Sequence, residues 1–153
     1  MIDDSDTSSM AAQRQALAVV EKMVATDAFS RWLGIEVLET RVGHSVVRMT
    51  VRDEMVNGFG TSHGGIVFSL ADSAFAFATN AGGFVSVAID CTVSYPAAVR
   101  PGDVLTAIAT EESTTNKLAF CSVTVRNQIN AAVGYFRGTV YRTPKPHFPT
   151  PQP

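Results

Sequence analysis

Residues 57–80 read NGFGTSHGGIVFSLADSAFAFATN, a glycine-rich turn feeding a segment that is apolar on nearly every side yet carries one carboxylate. Asp72 stands among Ile66, Val67, Phe68, Leu70, Ala71, Ala74, Phe75, Ala76, Phe77 and Ala78. An ionised side chain in such company is costly unless it is paired, neutralised or put to use. The run has helical length, and a helix apolar all round cannot lie on a protein surface, so something must enclose it.

The flanking segments supply the enclosure. Residues 35–38 and 45–52 predict two strands joined by a turn at Val42-Gly43-His44, with Val47, Met49 and Val51 alternating against Arg48, Thr50 and Arg52. Beyond the helix, Gly82-Gly83 resets the chain. Val85, Val87, Ile89, Cys91, Val93 and Tyr95 then share one strand face, opposite Ser86, Ala88, Asp90, Thr92 and Ser94. Further strands are predicted over 104–112, 117–126 and 131–142, separated by polar breaks at 113–116 and 127–130. Long alternating strands around one buried helix predict an α+β architecture, a curved antiparallel sheet wrapped around the helix, which is the hotdog arrangement.

Upstream, 11–26 predicts a peripheral helix with Leu17, Val20, Met23 and Val24 on one face, and Phe29, Trp32 and Leu33 a short helix stopped by Gly34. The expected organisation is a disordered lead over 1–10, one domain over 11–142, and a disordered tail over 143–153 that carries five prolines. The 153 residues suit a single core, with 46% hydrophobic against 17% charged. A net charge of -2 with scattered basic residues argues against a nucleic-acid partner or an anionic membrane surface. The N-terminus lacks the basic start and apolar run of a signal peptide, and no segment suits a membrane span, so the expected compartment is the cytoplasm. Cys91 and Cys121 fall in strand-like runs and share no metal-type spacing with His44, His63 or His147. They read as reduced packing residues.

Gly64 and Gly65 open the central helix, where the first N–H groups lack intrahelical partners and the dipole is positive. A thioester or other carbonyl could approach there and be polarised; alternatively, the glycines only make a tight turn. Asp72 lies two turns on and shares a less apolar face with Ser69, Ser73 and Ala76. It could attack an acyl carbonyl or activate a water, or it could be a structural acid bonded to backbone or arginine. Asn57 could orient a water or the acyl group, or serve as an Asn-Gly turn residue. His63 is either a base or a hydrogen-bonding residue that shapes the turn.

Asn57-Gly58, His63-Gly64-Gly65, Phe68 to Asp72, Ala74-Phe75-Ala76 and Asn80 together resemble the signature of hotdog thioesterases of the phenylacetate-degradation (PaaI) type. The likeness extends more loosely through Cys91-Thr92-Val93, Gly102-Asp103 and Phe136-Arg137-Gly138, covering 25–142. It implies hydrolysis of an acyl-CoA, phenylacetyl-type by expectation, with Asp72 as nucleophile or general base, the Gly64 N–H on the thioester oxygen, and Asn57 assisting. It also implies no metal, no cofactor beyond the CoA of the substrate, and homodimers paired into tetramers with active sites at a subunit interface. His63, Gly65, Ser73 and Phe75 are then expected to line the substrate site.

In one respect the chain departs from the family pattern. Where related sequences place an arginine before a proline in a Phe-Leu-Arg-Pro run, this one reads Tyr95-Pro96-Ala97-Ala98-Val99-Arg100-Pro101. Arg100, Arg126 and Arg137 are the resulting candidates for CoA phosphate contacts, each of which could equally be an ordinary exposed charge. Two other readings stay open. One is an acyl-CoA binder that senses without hydrolysing. The other is a hotdog dehydratase or hydratase, although no second histidine stands near Asp72.

Overall fold

The computed structural model describes residues 4–149, with side chains from residue 7 onward. In chain order the elements are α1 (Asp4–Thr26), α2 (Ala28–Leu33), β1 (Glu36–Arg41), β2 (His44–Thr50), a 3-10 turn (Asp53–Met55), α3 (Gly64–Asn80), β3 (Phe84–Ser94), β4 (Val104–Thr114), β5 (Leu118–Arg126) and β6 (Ala132–Pro146). The six strands form one antiparallel sheet in the order β1-β2-β4-β5-β6-β3 and curve around α3, which is the hotdog fold.

The alternation read from the sequence sets this up. Val47 and Met49 of β2, Leu105, Ala107 and Ala109 of β4, and Val123 and Val125 of β5 are all buried against Leu70, Ala71, Ala74 and Phe77 of α3. Each fully buried Leu or Phe contributes about 1.5–3 kcal/mol. Two backbone acceptors of α3 are tied to the β1–β2 hairpin. Ser45 Oγ donates to the Ala74 carbonyl at 2.7 Å and the Gly43 N–H to that of Ala78 at 3.1 Å, which fixes the helix within the sheet.

Phe75, expected in the substrate site, belongs to the core. Its ring packs 5.4 Å from that of Phe136 and lies over Gly138, where an added Cβ would meet it at 2.6–2.9 Å. It points at the sheet because it follows Ala74 and Leu70 on the buried side of α3.

Both ends differ from expectation. Of the predicted lead, 1–3 lie outside the described residues and 4–10 are the first turns of α1. No glycine or proline interrupts that run, and extending an existing helix gains one hydrogen bond per residue fixed. In the predicted tail, 143–146 continue β6, whereas 150–153 lie outside the described residues. Pro144 and Pro146 are tolerated because the β5 pairing ends at Leu118 with Tyr141 and only β3 runs alongside beyond it. Thr143 Oγ1 to the Val85 carbonyl (2.8 Å) and the His147 N–H to that of Gly83 (2.9 Å) hold the segment.

The apolar face expected of β3 is only partly covered. Cys91 and Val93 pack on the core, but Val87 and Ile89 are 46% and 58% exposed, because the β3–β6 register slips between Ala88 and Asp90 and the alternation changes face there, so that Ser86 rather than Val87 turns to α3. Among the described residues no helix is long and apolar enough to cross a membrane.

Candidate active site

The loop leading into α3 is built on Asn57. Its Oδ1 accepts from the N–H groups of Phe59 (2.9 Å) and Thr61 (3.3 Å), and its Nδ2 donates to Thr61 Oγ1 at 3.1 Å. The loop closes with the Asn57 N–H on the Thr61 carbonyl at 2.7 Å, and Gly60 takes φ +75°, a region closed to most side chains. Asn57 is therefore an Asx-turn residue whose amide is occupied. The loop is then pinned by Ser62 N–H on the Val99 carbonyl (2.8 Å) and His63 N–H on that of Met55 (2.8 Å). Phe59 at its tip is 93% exposed.

His63 is the N-cap of α3, its Nδ1 accepting from the Gly65 N–H at 3.0 Å while its carbonyl accepts from Ile66 N–H at 2.9 Å. A neutral ring accepting at Nδ1 carries its proton on Nε2. The cap therefore occupies the His63 side chain, and Gly65 has spent its donor. The Gly64 N–H has no acceptor among the described residues. It is the open donor at the positive end of a helix of 17 residues.

Asp72 lies on the half-exposed stripe of α3 with Phe68, Ser69, Ser73 and Ala76, as the spacing predicts. Among the described residues its carboxylate has neither a hydrogen-bond nor an ion-pair partner, and burial pushes it above the usual carboxylate range. Across from it on β3, the half-buried Cys91 thiol is pushed up to about 11, first by burial and then by the charges of Asp72 and Asp90. At the flank of that stripe Ser73 meets α2, its Oγ 3.2 Å from Ser30 Oγ, and Ser69 Oγ donates to the Gly65 carbonyl at 2.6 Å.

The three arginines do not gather here. Arg126 bonds the Asn130 carbonyl at 2.9 Å and closes the β5–β6 turn. Arg137 neighbours Gly138 on β6, and because Gly138 lies under Phe75, Arg137 sits on the sheet face away from α3. Arg100 is exposed in the 95–101 loop, next to the Val99 carbonyl that anchors Ser62.

Tyr95, read only as the last apolar position of a strand, belongs to the site. Its phenol donates to the Gly64 carbonyl at 3.0 Å, and its ring occupies the space beside Gly64, where an added Cβ would meet it at 3.2–3.5 Å. Burial raises the phenol above its ordinary range, and a tyrosine phenol is in any case a protonated donor at neutral pH. The signal in the sequence was its place where β3 ends before Pro96, although strand periodicity says nothing of what a terminal side chain reaches.

The thioesterase superfamily model matches residues 59–133, which take in most of the loop, α3, β3, β4, β5 and the first residues of β6. The acyl-coenzyme A thioesterase PaaI of Escherichia coli K12 is 38% identical over 120 residues, 78% of this chain and 86% of that protein. This chain belongs to the thioesterase superfamily. Within it the enzyme is a thioester hydrolase of the PaaI type. The solved structure of the E. coli PaaI protein, from the phenylacetic acid degradation operon, superposes on this thioesterase with a TM-score of 0.86 at 35% identity, over 88% of this chain and 98% of that one. A Streptococcus mutans protein solved with bound acetyl CoA matches at TM-score 0.71 and 26% identity, over 73% of this thioesterase and 90% of that chain.

Proposed function

We propose that this thioesterase hydrolyses an acyl-CoA with a small aromatic or medium acyl group, Asp72 supplying the nucleophile or base and the Gly64 N–H polarising the thioester carbonyl. The observation that carries the reading is an unpaired, half-buried carboxylate on the same helix as an open N–H at its positive end. As Asp72 or a water it activates attacks the carbonyl carbon, negative charge gathers on the acyl oxygen, where a fixed donor acts most strongly. Collapse then expels the CoA thiolate, a leaving group that needs little help from an acid. If Asp72 itself attacks, the resulting anhydride is opened by water.

On this reading a second copy completes the site. Gly64 and Asp72 are eight residues apart, about 12 Å along the helix axis. Groups serving the same carbonyl must stand within roughly 7–8 Å, given an attack distance near 3 Å and a hydrogen bond of similar length. A homodimer meets the requirement, with Asp72 of one subunit facing the helix mouth of the other, and the uncovered edge of β3 beside Asp72 is the surface such a copy would extend. Pairing of such dimers into tetramers follows the family pattern.

The names of the E. coli and S. mutans relatives support CoA as the carrier. This reading assigns Phe59, exposed at the loop tip, and Phe68, on the half-exposed stripe of α3, to an aromatic acyl group, and Arg100, next to the Val99 carbonyl that anchors Ser62, to a CoA phosphate. Free-thiol release from phenylacetyl-, hydroxyphenylacetyl-, benzoyl-, acetyl- and octanoyl-CoA tests the reading. Release by the native chain and its loss in Asp72→Asn are expected; tight binding without release would make the protein a binder instead.

A further inference from the structure

The carbonyl of Gly64 and the N–H of Gly65 belong to one peptide unit, and both ends of that unit are held. The Tyr95 O–H donates to the carbonyl at 3.0 Å, and the N–H donates to His63 Nδ1 at 3.0 Å. The result is a continuous hydrogen-bonded chain running from the phenol through the peptide to the imidazole, in which each bond polarises the next. Two successive glycines are the least ordered way to begin a helix, since each has more backbone freedom to lose than any other residue. The neighbouring Gly64 N–H can aim at an acyl oxygen only while this peptide plane is fixed. The phenol also fills the space a Gly64 side chain would take, so its ring and its hydroxyl act on the same residue. Tyr95 itself is held just beyond the end of β3, so the strand carries the clamp to the start of α3.

We infer that Tyr95 is a positioning residue for the acyl-oxygen site, clamping the Gly64–Gly65 peptide against the His63 cap so that the Gly64 N–H stays aimed at the substrate carbonyl. This rests on the acyl-CoA reading for its catalytic consequence but not for the clamp, and the two are separable by experiment.

The test is Tyr95→Phe, which keeps the ring and removes the donor. Losing one hydrogen bond of ordinary strength is expected to lower kcat about 3- to 10-fold with KM within about twofold. Hydrogen exchange at the Gly65 amide should accelerate by a similar factor, while the interior of α3, residues 70–78, keeps native protection. A merely structural tyrosine would lower the melting temperature and loosen the whole helix instead. Native kcat together with native Gly65 exchange in Tyr95→Phe would overturn the inference, as would a rise in KM with kcat unchanged, which would make the phenol a substrate contact. Absence of Asp72-dependent thiol release in the native protein would defeat the catalytic reading; Gly65 exchange would then still decide whether the clamp exists.

Discussion

Replacing Gly64 by alanine separates the helix mouth's role in catalysis from its role in folding. The added methyl would lie 3.2 Å from Tyr95 Cζ, 3.3 Å from its hydroxyl and 3.5 Å from Cε2, so the first two contacts are tighter than ordinary packing. Tyr95 is half exposed and can swing outward, at the loss of its bond to the Gly64 carbonyl, worth about 0.5–1.5 kcal/mol. Against that stands the preference of a helix for alanine over glycine, up to about 1 kcal/mol. The two nearly cancel, so folding stability should move by about 1 kcal/mol or less and the melting temperature by about 4 °C at most. Catalysis has no such offset. The methyl shields the open N–H and unseats the clamp, and loss of one donor to a developing oxyanion costs about 10²–10³ in kcat. Steady-state thiol release with a chromogenic disulfide, paired with thermal unfolding, reads both quantities. A folded Gly64→Ala protein with kcat/KM within threefold of native would refute the assignment of the Gly64 N–H.

Three further expectations follow from the same geometry. Because burial raises the Asp72 carboxyl in the folded state, the native chain binds the extra proton there, and this contribution to stability declines as pH rises from about 4 through the raised folded value. Asp72→Asn should lack that decline, and equal pH slopes in chemical denaturation from pH 4 to 7 would contradict it. Ile89→Asp places a charge on the open edge of β3 and should yield a lighter species in sedimentation with greatly reduced turnover; an unchanged assembly with full activity would rule out pairing through this edge. Gly138→Ala forces a methyl into the Phe75 ring at 2.6–2.9 Å and should cost about 1–3 kcal/mol in denaturant unfolding, with kcat of the folded fraction retained. A stability within 0.5 kcal/mol of native, taken as about the noise of surface substitutions, would show that Phe75 is not fixed there.

Sequence periodicity alone was enough for much of the architecture. A helix apolar all round has to be enclosed, and strands with one apolar face have to enclose something, so α3 and the sheet around it were legible before any coordinates. The solitary charge of Asp72 and the glycines at the helix start were legible for the same reason, since each breaks a local rule that a plain core helix would keep. What the sequence could not decide were matters of contact between distant segments. Whether Phe75 faced a ligand or a glycine of β6 depended on register. The prolines of the tail pointed to disorder, yet tertiary structure gave Pro144 and Pro146 the stretch of β6 where β5 has ended. Tyr95 shows the limit most directly. Its hydrogen bond joins residues 31 apart in the chain, and only the fold, by carrying the end of β3 past the start of α3, turns a strand-end tyrosine into part of the site.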